Sequence, residues 1–470
     1  MCGVAPERPI TADALRDHFQ RRTDLVVETR PAVLAQFSGG EGMPYRRIPD
    51  AVVAPSSTQG VSAAVAAAAE LGIPVTCFGA GSSLEGQVVP IEGGLVIDTS
   101  RMGQILRVSA EALDCSVESG VRRKDLNAHL RDTGLFFPVD PGADATIGGM
   151  VSTRASGTNA IRYGTMKENV LGLEVVLPDG TVIRTGSRAR KASVGYDLTS
   201  LFVGSEGTLG IVTEITLKLA PRPAFHLSGF CQFHDLDKAL AVVSQTLLQG
   251  LEPSRLELLD TVQTGACARF LGLDDLRDAH TILFEFAGEV EDARRRIEAF
   301  SSICAEEAGI DVQRFETPEM HSRYWRARER CYEAALSLAR GKKNMGTDAC
   351  APLDRLAECI LKTREKIAAS GLTAPLVGHV GDGNFHLGIL FDPDDAAETA
   401  RAEDLCARVG CLAIELGGAC SGEHGIGLHK LSLMHRQHDK ALDLMRAIKA
   451  AIDPASIMNP GKLLPPANIG

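Results

Sequence analysis

Apolar and polar residues alternate with two different periods along this chain, and the switch between them outlines its organisation. Helical spacing recurs at residues 12–21, 59–71, 236–248, 290–308, 325–339, 353–370, 395–416 and 439–452. The 59–71 segment is so rich in Ala and Val that it must be largely buried. Short apolar or alternating runs predict strands at 51–53, 75–78, 95–98, 104–108, 114–119, 171–177, 182–185 and 212–219. Pro178-Asp179-Gly180 is a hairpin signal between two of them. Pro221-Arg222-Pro223 then punctuates the chain. Beyond it, strand-helix-strand units at 225–259 and 281–315 predict an antiparallel sheet with helices on one face.

One stretch follows neither period. Residues 137–164, FPVDPGADATIGGMVSTRASGTNAIRYG, are crowded with Gly, Ser, Thr and Ala and hold almost no bulky apolar side chains. Such a segment reads as unable to close a core of its own, and as backbone that a large ligand can approach closely. A glycine-rich turn precedes it, Gly79-Ala80-Gly81-Ser82-Ser83-Leu84-Glu85-Gly86, and another follows at residues 204–210. The first resembles the opening of a dinucleotide fingerprint. Leu84 stands where the third glycine belongs, so a nicotinamide-type motif fails, although the amides can still cradle a pyrophosphate.

Length and charge narrow the field. At 470 residues the chain exceeds one ordinary core, and two to three domains are expected. The formal net charge of -11 argues against nucleic acid or an anionic membrane surface as a partner. No run reaches the roughly 20 apolar residues of a membrane span, and the first residues do not read as a secretory signal. Twelve cysteines are scattered singly without a C-x-x-C pair, which points to reduced thiols and a cytoplasmic location.

The sharpest chemical signal is Gly378-His379-Val380-Gly381-Asp382-Gly383-Asn384-Phe385-His386. On one continuous strand, residues seven apart face opposite ways. Asp-Gly, however, is a preferred pair for a two-residue type I′ turn, which would set His379 directly opposite His386. The two imidazoles would then share a face with β-carbons roughly 5 Å apart, close enough to chelate a metal. Ser421-Gly422-Glu423-His424-Gly425 offers both a carboxylate and an imidazole as a third ligand. The remaining histidines read as satisfied or exposed side chains. Trp325-Arg326-Ala327-Arg328-Glu329-Arg330 and Gly341-Lys342-Lys343 supply cations for an anionic substrate, or simply a solvated helix face.

Taken in order, FGAGSSLEG, PGADATIGGM, RYG, VGSEGTLGI, GHVGDGNFH, SGEHGIG and IMNPGKLLP resemble the FAD-linked oxidases of the vanillyl-alcohol-oxidase type. The likeness falls in the branch of D-lactate and other D-2-hydroxy-acid dehydrogenases and runs from residue 52 to 465. It implies an α+β fold, with a two-subdomain FAD-binding domain of the p-cresol methylhydroxylase (PCMH) type at 1–222. An antiparallel, ferredoxin-like cap at 223–416 and a segment returning to the flavin domain at 417–470 would complete it.

The resemblance also implies roles. Gly79, Ala80, Gly81, Ser82, Ser83 and Leu84 would bind pyrophosphate. Pro141, Gly142, Thr146, Gly149, Ser152, Gly157, Arg162 and Gly164 would line the flavin, completed by Glu206, Gly207, Ile211 and Asn459. The first turn has no histidine, so the FAD should be non-covalent. His379, His386 and Glu423 match the ligands of a divalent metal, zinc by the resemblance, with manganese and iron open. His424 matches the base and Arg328 the carboxylate-binding arginine, and Lys343 precedes a TDACAP segment of the active site.

The implied reaction is oxidation of a D-2-hydroxy acid, D-lactate first, with electrons passed to a cytochrome, a quinone or an electron-transferring flavoprotein. D-2-hydroxyglutarate or glycolate is the runner-up substrate. Gly346 and Gly388 stand where 2-hydroxyglutarate enzymes place Lys and Asn, which counts against a long diacid. A non-catalytic flavin relay subunit and an ether-lipid synthase relative are the readings from other classes. A homodimer is one open oligomeric state.

Overall fold

The computed structural model describes residues 12–41, 45–315 and 317–466. The first eleven residues, Cys2 and the start of the leading segment lie outside them. The chain divides into two compact units. One comprises Met1–Ala155, Thr165–Pro221 and His424–Gly470; the other comprises Ser156–Gly164 and Arg222–Glu423.

The first unit carries strands β1 (Ala51–Val53), β2 (Val75–Phe78), β3 (Leu95–Asp98), β4 (Ile105–Ser109), β5 (Asp114–Glu118), β6 (Leu135–Phe136), β7 (Val170–Val176), β8 (Val182–Gly186), β9 (Ile211–Lys218) and β10 (Ala220–Pro221). A parallel sheet has the order β1-β3-β2, and an antiparallel one has the order β4-β5-β9-β7-β8. The Thr58–Glu70 helix is capped by Ser57, whose hydroxyl accepts from Gly60 N at 3.2 Å. It buries Val61, Ala64, Val65, Ala67 and Ala68, as its composition requires.

The glycine-rich stretch corrects the expectation drawn from its composition. Phe137, Val139, Ile147, Met150 and Val151 are all at most 1% exposed, and the last three lie on a short helix, Ile147–Thr153. Few apolar residues suffice because each falls on the inward side. Thr146 and Gly148 are buried with them, while Gly142 stays exposed.

The C-terminal segment returns to this unit by edge pairing. Val75 N donates to Ile457 O at 2.7 Å, and Asn459 N donates to Val75 O at 2.8 Å. Buried Asp453 accepts from the amides of Ile457 and Met458, at 3.1 and 2.8 Å, and so shapes the turn that feeds the pairing.

The second unit carries β11 (Phe225–Phe233), β12 (Arg255–Leu259), β13 (His280–Gly288), β14 (Ile310–Arg314), β15 (Lys343–Gly346), β16 (Ala349–Cys350), β17 (Leu376–His379) and β18 (Asn384–Phe391). The sheet order is β14-β11-β13-β12-β17-β18-β15, with β16 also on β18, and every pairing is antiparallel. Its first four strands stand in the 4-1-3-2 order of a ferredoxin-like unit.

Helices cover both faces of this sheet, not one. Leu236–Leu248, Val290–Glu306, Leu356–Ser370 and Ala396–Glu415 pack on one side. Thr261–Leu271, Pro318–Glu329 and Cys331–Leu336 pack on the other. The helix expected over 325–339 is two, broken at Arg330, whose φ of -104° and ψ of 22° leave the helical region. The first of them starts at Pro318 behind a Thr317 cap.

The unit boundaries differ from 222 and 416 for identifiable reasons. Residues 156–164 join the second unit: Arg255 Nε donates to Asn159 Oδ1 at 3.0 Å and Arg162 Nη1 to Ala287 O at 2.6 Å. Residues 417–423 join it because Ala419 bridges to Cys350 and Gly422 N donates to Asp348 O at 3.0 Å.

At the β17–β18 connection Gly383 has φ +88°, and a β-carbon there would lie 2.2 Å from Ala351 O. Gly371, φ +68°, caps the Leu356–Ser370 helix facing open space. Gly371→Ala is expected to cost about 1 kcal/mol through backbone strain alone, and Gly383→Ala clearly more because backbone must also shift. Differential scanning calorimetry of the two variants should show the larger fall in Tm for Gly383→Ala.

Candidate active site

His379 ends β17 and His386 lies near the start of β18. The pairing is not the one the Asp-Gly turn predicts. His379 stands opposite Asn384 and Val377 opposite His386, so four residues, 380–383, make the connection. Type I′ needs positive φ at both central residues, and Gly383 has it but Asp382 does not. The shift from the expected register is two residues, and an even shift leaves every side chain on its face. The imidazoles therefore meet as diagonal neighbours, ring centroids 5.4 Å apart and nearly perpendicular.

Glu423 completes the convergence. Its Oε1 lies 3.4 Å from His379 Nε2 and 3.3 Å from His386 Nε2. The other ring nitrogens are already committed. His379 Nδ1 is 2.8 Å from Glu257 Oε1, and His386 Nδ1 is 3.1 Å from Thr347 O. Carboxylate and carbonyl oxygens only accept, so each Nδ1 donates; both Nε2 atoms face Glu423, and that of His379 also lies 3.3 Å from Arg328 Nη2. Burial alone would push the Glu423 carboxyl up, but the hydrogen bonds and charges of the two histidines hold it well below its ordinary value. For His379, burial favours the neutral ring, yet Glu257 raises it well above the ordinary imidazole value.

Two carboxylates missed by the sequence reading support this set. Glu257, 1% exposed, accepts from Arg328 Nε at 2.6 Å as well as facing His379. Its signal was an acidic residue at the centre of RLELL, a strand whose other middle positions are leucine. Asp348, also buried, accepts from Asn384 Nδ2 at 2.9 Å, Ser421 Oγ at 2.6 Å and Glu423 N at 2.9 Å. It ties the Glu423 segment to the histidine strand, and only the fold reveals that. Asp348, His386 and Glu423 offer ligand atoms within 4.8 Å of one another.

The donor set fits a divalent cation. Asp348, His386 and Glu423 form the close ligand group, His379 Nε2 lies 3.4 Å from Glu423 Oε1 without joining it, and Glu423 Oε2 is buried with no hydrogen-bond partner. Arg328 stays fully charged beside it, because Glu257 outweighs the effect of burial. Lys343 does not belong to the group. It is exposed and pairs with Phe391, five residues beyond His386 on β18, roughly 17 Å along the strand.

In the first unit, His424 is held by a different carboxylate. Glu85 is 1% exposed; its Oε1 lies 3.4 Å from His424 Nδ1 and 2.8 Å from Lys430 Nζ, and its Oε2 lies 2.9 Å from His429 Nδ1. Burial would raise its carboxyl, but Lys430 and the two histidines hold it well below its ordinary value. Glu85 ends the first glycine turn, one residue past the positions expected to bind a ligand. Glu206, φ 53° and buried, accepts from Ile426 N at 2.6 Å and Gly427 N at 2.9 Å. Burial pushes its carboxyl up to about 7. Asn459 Nδ2 donates to Gln87 O and Glu206 O, at 3.0 and 2.7 Å, and so pins the turns together.

Of the residues expected to line a flavin, those from Gly79 to Ser152, with Glu206, Gly207, Ile211 and Asn459, lie in the first unit, and Gly157, Arg162 and Gly164 in the second. Within the first, Ser83 Oγ is buried without a partner, and a β-carbon on Gly142 would meet nothing within 4 Å. On Gly207 the nearest atom would be 3.9 Å away. Glycine backbone with open space at Gly142, and a buried unserved hydroxyl in the first glycine turn, each fit a phosphate-bearing cofactor.

A glycine-turn domain joined to a sheet with such a donor set defines a flavoprotein oxidoreductase class, and comparison with known proteins agrees. Residues 49–186 match the FAD binding domain, and residues 222–463 match the FAD linked oxidases, C-terminal domain. The chain belongs to the FAD linked oxidases.

It is 43% identical to probable D-lactate dehydrogenase, mitochondrial, of Danio rerio, over 93% of this chain and 89% of the relative. It is 41% identical to D-lactate dehydrogenase [cytochrome], mitochondrial, of Arabidopsis thaliana, over 89% and 74%. To glycolate oxidase subunit GlcD of Bacillus subtilis the figure is 36%, over 89% and 90%. The fold is that of 4-ethylphenol oxidase from Gulosibacter chungangensis, with TM-score 0.79 at 19% identity and coverage of 98% and 99%. It is equally that of p-cresol methylhydroxylase, with TM-score 0.75 at 16% identity and coverage of 98% and 97%.

Competition titration with a chromophoric chelator is expected to show one tight divalent cation per chain, lost in Glu423→Ala. Glu257→Gln should weaken it about 10- to 100-fold, as removal of a group orienting a ligand does.

Proposed function

We propose that this protein oxidises a D-2-hydroxy acid, D-lactate first, to the 2-keto acid. The observation that carries the reading is the convergence of His379, His386 and Glu423 beside Arg328 in a chain 43% and 41% identical to relatives named D-lactate dehydrogenase. When bound, FAD supplies the acceptor for the hydride on C2, and a divalent metal, zinc by the resemblance with manganese and iron equally compatible with two histidines and a carboxylate, supplies a Lewis acid for the hydroxyl. The glycine turns around Ser83 and Gly142 hold the first, and the two histidines with Glu423 hold the second.

The protein's own groups do the rest. Arg328 takes the substrate carboxylate: Glu257 fixes its guanidinium through Nε, and Nη1 makes no hydrogen bond among the described residues. The buried Glu257 thus orients the anion-binding arginine and a ligand histidine at once. His424 accepts the hydroxyl proton at Nε2, since Glu85 faces its Nδ1. Glu206 and Glu85 hold the loop that carries this base, one from the backbone amides of Ile426 and Gly427, the other from the side chains. Lys343 has no part in the site.

A cytochrome is the electron acceptor in this reading, by analogy with the relatives that carry that word in their names. A reducing, cytoplasmic location belongs to it as well, and every described cysteine is a free thiol.

The test is anaerobic reduction of the purified yellow protein. D-lactate should bleach the flavin absorbance, with L-lactate and D-2-hydroxyglutarate at least 100-fold slower. Absence of bleaching by every 2-hydroxy acid offered would overturn the proposal.

A further inference from the structure

The sheet face that presents His386 continues along β18 to Gly388, about 7 Å further on. Gly346 of β15 stands directly opposite Gly388. Two glycines on one rung remove both side chains there, so a notch opens in the face next to the imidazole.

Asn344, two residues before Gly346 and on the same face, turns its amide into this notch. A β-carbon on Gly388 would lie 2.9 Å from Asn344 Nδ2 and 3.4 Å from Oδ1, whereas one on Gly346 would meet nothing within 4 Å. Asn344 is 7% exposed, and its buried Oδ1 has no hydrogen-bond partner. No hydrogen bond ties the amide to any described residue. A buried amide oxygen that no donor serves is costly to keep, and in a notch on the face that presents His386 the natural counterpart is a ligand donor.

We propose that Asn344 is a specificity-determining residue, and that it selects 2-hydroxy acids whose third carbon carries a neutral hydrogen-bonding group, a hydroxyl in the first instance. The inference rests on the hydroxy-acid reading of the His379, His386 and Glu423 site. A hydroxyl both donates and accepts, so it serves Oδ1 and Nδ2 together. A carboxylate only accepts and leaves Oδ1 unpaired, and an alkyl group leaves both unpaired. The methyl group of D-lactate fits the notch without reaching the amide. Gly346 and Gly388 remove side chains from this pocket, and the amide of Asn344 occupies the space a side chain at 388 would fill.

The test uses D-glycerate and D-2-hydroxybutyrate, which differ only in a hydroxyl or a methyl on the third carbon, with the FAD-loaded, metal-loaded protein. Wild type should favour D-glycerate in kcat/KM by about 10-fold or more, as a site built to hydrogen-bond a hydroxyl does. Asn344→Leu should reverse that ratio, and Asn344→Ser should retain part of it. The dissociation constants of 3-hydroxypyruvate and 2-oxobutyrate, read from the flavin absorbance of the oxidised protein, should move in the same sense without turnover.

FAD content and Tm report folding, and Asn344→Ser decides the matter where Asn344→Leu does not fold. Preference of the wild type for D-2-hydroxybutyrate, or a ratio unmoved in both variants while D-lactate still bleaches the flavin, overturns this inference alone. Failure of every acid, D-lactate included, removes the hydroxy-acid reading and this inference with it.

Discussion

A buried negative charge must be met by positive charge close by, and in the second unit that requirement organises the site. Glu257 is 1% exposed and the Glu423 side chain 12%, and an unpaired carboxylate so placed would cost several kcal/mol. Glu423 is met by the two imidazoles, and Glu257 by His379 and Arg328. His379 lies between the carboxylates and is oriented by both. Glu257 at His379 Nδ1 and the Thr347 carbonyl at His386 Nδ1 thereby fix which nitrogen of each histidine faces Glu423, whose Oε2 stays unserved. Local strand and helix preferences could not produce this alignment.

The first unit solves the same problem with different partners. Glu85 gathers His424, His429 and Lys430, and Glu206 gathers two backbone amides of the loop just beyond His424. Both acids come from glycine-rich turns whose small residues let the chain approach closely. The peptide bond from Glu423 to His424 passes from one unit to the other, so a residue suited to ligate a metal and a residue suited to accept a proton are consecutive in the chain.

Much of this was legible beforehand, and the errors have physical causes. Helix 236–248 and strands 51–53, 75–78 and 95–98 carry strong apolar periods and form with those bounds, and the unit expected at 225–259 forms as strand, helix and strand. The Thr261–Leu271 helix was missed because its polar and small residues show little amphipathic pattern. The 137–164 stretch was judged by composition, whereas burial depends on which way a few side chains face. The hairpin register was judged from turn preference, and contacts beyond the turn set a four-residue connection. The chemistry survived because the error was an even number of residues.

The sequence by itself determined the family, the glycine turns, the two histidines sharing a face and the Glu423-His424 pair, since these depend on local spacing and residue type. Glu257, Asp348, Glu85 and Asn344 became functional candidates only in the tertiary structure, and Lys343 ceased to be one there. Their importance comes from partners 36 to 345 residues distant, or, for Asn344, from a buried amide oxygen without one. Whether a polar side chain is buried, and what it then faces, is a property of packing that local sequence does not encode.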